Sequence, residues 1–220
     1  MLDLKDSTSF KKFKLEKLGD KHMKRRTFDK IVSFVGLGLS LFLFLAAALL
    51  NWGASFANES VATQLAQQKI VMPDKDSAGF KSLPEQAQNA LAPYSNLSLK
   101  TGKQAQAYAD FYIGSHLKGI ANGKVYSEVS GAALAATAKS KADPANTALA
   151  AEASTLMAQR TSLFMGETLR GLLLYSFAFW QIGQIAMYAA WAAALGGVIM
   201  LILSILGFAH IRRVEADATI

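Results

Sequence analysis

The 220-residue sequence contains no cysteine. That absence excludes disulfides, thiol nucleophiles, iron–sulfur clusters and cysteine-ligated zinc. The sequence also lacks a glycine-rich phosphate loop, a G-x-S-x-G nucleophile motif and an H-E-x-x-H metal motif. Its three histidines, His22, His116 and His210, lie far apart, and we expect them on opposite sides of a membrane. We therefore predict no enzyme activity, catalytic residue, bound metal or cofactor.

Charge is missing from two long stretches, residues 31–52 and 171–209, although the whole chain has a net charge of +7. Residues 1–30 hold most of that excess, with ten Lys/Arg against five Asp/Glu. The chain is also 52% hydrophobic, which excludes intrinsic disorder, a coiled-coil rod and a wholly soluble enzyme. The distribution predicts a protein that lies partly in a membrane and partly in water.

The first charge-free stretch is predicted to be a membrane span. Residues 31–50 are uncharged and as a helix would cover about 30 Å, the thickness of the hydrocarbon core. Trp52 follows at once, where an interfacial aromatic residue is expected. The alternative is a cleaved signal peptide, with a small-residue site near Ala54–Ala57. The run exceeds the roughly 7–15 apolar residues of signal peptides, which favours an uncleaved anchor.

The second stretch, residues 171–209, is too long for one crossing and too short for two, because as a helix it would reach about 58 Å. Counting back from Arg212 and Arg213 places its outer boundary near Tyr188 and Trp191. Residues 171–184 would then project above the bilayer as an apolar segment that a partner or the rest of the chain must cover. The predicted partner-contact residues are Leu172, Leu173, Leu174, Phe177, Phe179 and Trp180.

Basic residues flank both spans on the same predicted side. Positive charge near the ends of spans stays in the cytoplasm. We therefore expect a bacterial plasma-membrane protein with both termini cytoplasmic and residues 53–170 outside; residues 210–220 form the cytoplasmic tail. The predicted membrane-surface anchors are Lys11, Lys12, Lys14, Lys24, Arg25, Arg26, Trp52, Tyr188, Trp191, Arg212 and Arg213. The lysines of residues 10–19 either bind anionic lipid on a short amphipathic helix or form a solvated tail that sets the topology.

Small residues recur at alternating spacings of three and four in both spans. In lipid, helices associate through close packing of such residues, and this spacing is typical of a left-handed crossing near +20°. We expect the two stripes to face each other in an antiparallel hairpin; the alternative is that Ala and Gly are simply common in membrane helices. The predicted packing residues are Ser33, Gly36, Ser40, Ala47, Gly183, Ala186, Ala190, Ala193, Gly197 and Ser204.

The outer segment is predicted to be a small, mostly helical domain. Residues 54–68 continue the first span outward as a helix, and Asn122–Gly123 reads as a turn. Capping boxes are predicted at 82–85 and at 101–104. Asp143 and Pro144 are expected to cap and open a very long last helix, with bends at Gly166 and Gly171.

Few polar groups in this domain point to a site. Tyr108, Tyr112 and His116 form a possible ligand patch, although half-buried aromatic residues with satisfied hydrogen bonds explain them as well. Arg170 borders the apolar run, where a lipid headgroup, a carboxylate partner or solvent would suit it.

Three stretches of the outer segment resemble a family of small actinobacterial two-span membrane proteins. They are residues 106–117 (QAYADFYIGSHL), 123–128 (GKVYSE) and 159–164 (QRTSLF), the last leading into the second span. The resemblance implies two spans with a short helical outer domain and no established activity. Members often carry the label of aromatic ring-opening dioxygenase, against which the separated histidines argue. The basic leader and the polar residues 166–170 depart from the family pattern.

The sequence thus predicts an all-α membrane protein: a two-span helical hairpin with a small extracytoplasmic helical domain. The first functional hypothesis is a non-enzymatic accessory or scaffold subunit in contact with membrane lipids, forming a homo-oligomer or joining a larger membrane complex. The alternative is a sensor or ligand-binding module that reads a lipid or cell-wall component. Nucleic acid is not an expected partner, because the basic residues already lie beside a membrane.

Overall fold

A computed structural model describes residues 24–213 and confirms that this part of the chain is all-helical and without strands; Val71 and Ser98 form an isolated antiparallel bridge. The predicted anchors Lys11, Lys12 and Lys14 lie outside the described residues. The helices are α1 (Arg25–Gln67), α2 (Ala78–Lys81), α3 (Glu85–Leu91) with a 3₁₀ turn (Ala92–Tyr94), α4 (Gly102–Ala107), a π-helical segment (Tyr108–Ile113), α5 (Gly114–Ile120), α6 (Tyr126–Ala142) and α7 (Thr147–Ile211).

Two helices, α1 with 43 residues and α7 with 65, are long and apolar enough to cross a membrane. A core helix of a soluble protein passes the same test, but such a helix is mostly buried. Here only 22% and 11% of the most apolar windows of α1 and α7 are buried within the structure. The low burial agrees with helices whose apolar faces meet lipid. No break interrupts α7, so the bends predicted at Gly166 and Gly171 do not divide it.

The chain divides into two compact units. One comprises Met1–Leu50 and Tyr188–Ile220, of which residues 24–50 and 188–213 are described. The other is Asn51–Met187, and it contains the end of α1, all the short helices and the first two thirds of α7.

Two helix ends form as the local sequence predicts. Thr101 accepts a hydrogen bond from the Gln104 backbone N–H, and the Gln104 side chain accepts one from the Thr101 N–H at 3.0 Å. This is the reciprocal capping box predicted at the start of α4. The Asn122–Gly123 turn is also present, with positive φ at both residues.

Two other predicted helix caps were wrong. Ser82 does not cap α3, because its hydroxyl donates to the Gly79 carbonyl at 2.8 Å at the end of the preceding helix. Asp143 and Pro144 do not open α7, which begins at Thr147. Its cap is Asn146, whose side-chain oxygen accepts a hydrogen bond from the Leu149 N–H at 3.2 Å. Asn is as good a cap as Asp, so the local choice between them followed tertiary position.

The core of the 51–187 unit is built from side chains that several short helices press against α1 and α7. Most of its buried members are aliphatic or Met, Phe80 is buried among them, and several partly buried aromatic residues pack against them. The largest fully buried apolar residues are Met72, Leu91, Leu99, Val129 and Leu163. The end of α1 and the first part of α7 thus supply one wall of the core of the 51–187 unit.

Candidate functional site

In the unit of residues 24–50 and 188–213, α1 and α7 pack through small residues and run in opposite directions. A Cβ added at Gly207 would lie 3.4 Å from the Ser33 Cβ, and one added at Gly36 would lie 3.8 Å from the Ser204 Cβ. Further along, Ser40 contacts Gly197. The order of these pairs reverses between the two helices, which defines an antiparallel pair. Glycine lets the two backbones approach closely, and a larger residue would separate them.

The serines of this contact stripe are buried and have hydrogen-bond partners. Ser40 is fully buried, and its Oγ donates to the Gly197 carbonyl of the other helix at 2.9 Å. Ser33 and Ser204 donate within their own helices, to the Asp29 and Met200 carbonyls. A satisfied hydroxyl is tolerated in an apolar medium, and one that bridges two helices also holds them in register.

The structure places the remaining predicted packing residues in two groups. Ala47 and Ala190 are buried, and Ala193 is half-buried, in the same unit as the serines. Gly183 belongs to the 51–187 unit, where it packs against Ala57 of α1 and Ala186 is half-buried. The remaining faces of both helices expose large apolar side chains, and the anchors Trp52, Tyr188 and Trp191 are about 70% exposed. The predicted basic anchors Lys24, Arg25, Arg26, Arg212 and Arg213 are exposed as well.

The apolar segment 171–180 of α7 has two faces with different surroundings. Leu173 is 3% exposed and belongs to the core, against which Leu174 and Trp180 are also packed. The Trp180 ring covers Gly102, and Phe177 stacks on that ring with centroids 6.2 Å apart. These predicted partner-contact residues are thus covered by other residues of the 51–187 unit.

The opposite face of the same segment is uncovered. Leu172 is 59% exposed, Tyr175 76% and Phe179 41%. Phe56 of α1, which is 57% exposed, meets Phe179 edge to face with ring centroids 6.5 Å apart. Only this face is open to a partner, so two of the six predicted contact residues, Leu172 and Phe179, remain exposed.

This face of α7 and the facing side of α1 line a groove with a volume of about 510 Å³. The buried side chains of Val61, Leu65 and Leu173 form its floor. Its walls are contributed by residues 56–68 of α1 and 169–179 of α7. Sequence reasoning missed this groove, because it arises from the separation of two helices that lie more than a hundred residues apart in the chain.

Tyr108, Tyr112 and His116 lie together, as their spacing of four predicts. The two tyrosine rings stack with centroids 4.8 Å apart, and the His116 ring lies 4.5 Å from Tyr112. His116 Nδ1 is 2.7 Å from the Tyr112 carbonyl oxygen, so one ring nitrogen is already engaged. Burial raises the pKa of the Tyr108 hydroxyl, and the neighbouring Tyr112 raises it further. The rings pack against one another, and none of the three residues lines the 510 Å³ groove described above.

Arg170 has a carboxylate partner, one of the environments that its position suggested. Its guanidinium donates to Asp110 Oδ1 at 3.1 Å and lies 3.4 Å from Glu167 Oε2. Burial by itself lowers the pKa of Arg170, but the hydrogen bonds and charges of Asp110 and Glu167 outweigh it and raise the pKa. The Asp110 bond ties the π-helical segment to α7. Arg160 makes a similar link, donating to the Ser130 hydroxyl at 2.9 Å.

Within residues 24–213, the structure brings no three His, Asp or Glu side chains together in a way that would hold a metal ion. No protein-family model, curated protein or solved structure matches the chain. Its candidate functional features are therefore those of its own geometry: the small-residue contact stripe, the uncovered face of α7 and the groove beside it.

Proposed function

We propose that this chain is an integral membrane protein whose α1 and α7 form a two-span hairpin, with both termini in the cytoplasm and residues 53–170 outside. The charge-free stretches, the basic residues at their ends and the exposed aromatic residues at the predicted surfaces support this topology. The bridging Ser40 hydrogen bond and the close approach at Gly36 support direct pairing of the spans. The resemblance to two-span actinobacterial proteins points the same way.

We propose further that the protein is a non-enzymatic accessory subunit that associates with a partner or with another copy. The observation that carries this proposal is the uncovered apolar face of α7, formed by Leu172, Tyr175 and Phe179 outside the predicted membrane region. Exposed apolar patches of this kind mark association surfaces. The small-residue stripe is occupied by contact between the chain's own two helices, so we place assembly on the α7 face instead.

The absence of natural cysteine makes a direct topology test possible. Single cysteines at Lys81 and at Lys24 provide one site predicted outside and one predicted inside. In intact cells of a bacterial host, a membrane-impermeant maleimide should label Lys81→Cys and leave Lys24→Cys unlabelled until the cells are opened. The cysteine-free parent provides the blank. The reverse pattern, or labelling of both sites in intact cells, would refute the proposed hairpin.

Assembly is tested by a matched pair of variants. Leu172 on the α7 face and Leu134 on α6 are 59% and 57% exposed, so replacing either by Gln removes a similar exposed apolar area. In mild detergent, light scattering and mass spectrometry of the purified full-length chain should show a homo-oligomer or a retained partner. Leu172→Gln should weaken that association and Leu134→Gln should not. A monomer without a partner, or equal effects of the two variants, would contradict the proposal.

A further inference from the structure

The groove between α1 and α7 has the size and lining of a site for a flexible apolar molecule. Its volume of about 510 Å³ falls within the range of roughly 300–1,000 Å³ that is usual for small-molecule sites. None of the described residues that line it carries a charge. Its floor is aliphatic and buried, while its rim at Leu172 and Tyr175 is open to the surroundings.

The polarity of the lining changes along the groove. At one end lies the aromatic pair of Phe56 and Phe179. Trp52, the residue predicted at the membrane surface, stacks on Phe56 with centroids 6.2 Å apart. About 12 Å further along α1, at a rise of ~1.5 Å per residue, the α1 wall becomes polar at Gln64, whose amide donates to the Ser60 hydroxyl at 3.2 Å. The facing α7 wall stays apolar at Leu169 and Leu172. The apolar end of the groove is therefore the end that adjoins the predicted bilayer surface.

The polar side chains at the Gln64 end can hydrogen-bond to a headgroup. Ser60, Gln64 and Gln68 line the groove there, and their hydroxyl and amide groups suit a neutral or zwitterionic headgroup.

We propose that the groove holds one acyl chain of a membrane lipid with a zwitterionic headgroup, with its tail against Phe56 and Phe179 and its polar end toward Gln64. The gradient from aromatic to amide lining matches the gradient within such a lipid, and the apolar end opens beside the predicted bilayer surface. The lipid would cover the floor and part of the uncovered face of α7. This inference rests on the proposed membrane topology and requires no protein partner.

The test uses the full-length chain reconstituted in phosphatidylcholine vesicles that contain a phosphatidylcholine with a photoactivatable diazirine in its acyl chain. After irradiation, peptides carrying the label are mapped by mass spectrometry. Labels are expected on the lipid-facing residues of the spans and also on residues 169–179 beyond them. Ser176→Phe fills the groove and should lower the groove labelling about tenfold, which corresponds to ~1.4 kcal/mol of binding free energy. Ser154→Phe, an exposed position on the same helix, should leave it unchanged.

Labelling of the spans reports insertion in every variant, and thermal unfolding followed by circular dichroism reports whether the 51–187 unit of each variant folds as in the parent. Ser60→Phe fills the groove from the other helix and gives an independent second variant. The inference is overturned if labels stay confined to the spans, or if Ser176→Phe and Ser60→Phe leave the groove labelling as strong as in the parent. Cross-links between two chains through the groove would also overturn it, in favour of a protein occupant. Absence of label from the spans would instead refute the membrane topology itself.

Discussion

Replacing Gly102 by Ala should destabilise the 51–187 unit, although Ala is the better helix former. A Cβ at Gly102 would lie 2.5, 2.6 and 2.8 Å from Cβ, Cγ and Cδ2 of Trp180. These atoms lie where the Trp180 side chain joins the backbone, so they cannot move away by a simple side-chain rotation as the end of a flexible side chain can. The ring or one of the two helices must therefore move.

The size of the effect is the difference between two terms. Overpacking of a core contact costs about 1–3 kcal/mol. The higher helix propensity of Ala returns up to ~1 kcal/mol. Because the added Cβ would overlap three atoms of Trp180 at once, we expect an overpacking cost in the upper part of that range. The net loss in the free energy of unfolding is then about 1–2 kcal/mol. For a chain of this length that corresponds to a fall in Tm of roughly 2–8 °C.

Thermal unfolding of the full-length chain in a mild detergent, followed by circular dichroism, measures this change. Gly131→Ala is the matched control, because Gly131 lies inside α6 with nothing within 4 Å of an added Cβ. That control should raise stability by about 0.5–1 kcal/mol. Opposite signs for the two substitutions are the expected result. A Gly102→Ala protein that unfolds at or above the temperature of the parent would refute the packing of Trp180 on α4, and with it the conclusion that this residue is covered by its own chain.

Three further predictions test other contacts. A Gly36→Cys, Ser204→Cys double variant should form a disulfide on mild oxidation, because the two Cβ atoms would be 3.8 Å apart and the mean separation in disulfides is about 3.8 Å. A Gly38→Cys, Ser204→Cys pair should not, because a Cβ at Gly38 would face open space. Equal cross-linking of both pairs would contradict the observed helix register. The pKa of Tyr108 is raised in the folded protein, so the unfolded chain loses this proton more readily than the folded one. The free energy of unfolding should therefore be highest below the ordinary tyrosine pKa of 10.0 and fall as the pH rises through the higher folded pKa. Ultraviolet absorbance titration should show one late tyrosinate step that Tyr108→Phe removes, and unchanged titration would count against the burial. Arg170→Gln should cost only about 0.5–1 kcal/mol in thermal unfolding, because its ion pair with the π-helical segment is about one third exposed and solvent screens it; a much larger loss would show that the guanidinium is held in a drier site.

The parts of the fold that the sequence predicted correctly depend on neighbouring residues. The capping box at Thr101 involves a side chain and a backbone group three residues apart, and the extension of α1 to Gln67 continues a local helical pattern. The start of α7 was predicted wrongly because Asp143 and Asn146 are both good caps. Choosing between them needs the position of the helix in the folded unit, which local sequence does not contain.

The candidate site was only partly visible for the same reason. The sequence predicts Tyr108, Tyr112 and His116 as a possible patch, and the structure brings their rings together; residues four apart share a helix face. The pairing of Arg170 with Asp110 joins residues sixty positions apart, and the π-helical segment shifts the face on which Asp110 lies. A regular period of 3.6 residues cannot predict that shift.

The sequence by itself determined the helical class and the two stretches long and apolar enough to cross a membrane, because composition, charge and short spacings are enough to decide them. The tertiary structure alone decided which side of the segment 171–180 is buried and which side stays exposed. It buried Leu173 and Trp180 against the chain's own core and left Leu172 and Phe179 beside an open groove. The reason is geometric: an apolar residue favours burial anywhere, and only the packing of distant helices decides where space is filled and where it stays open.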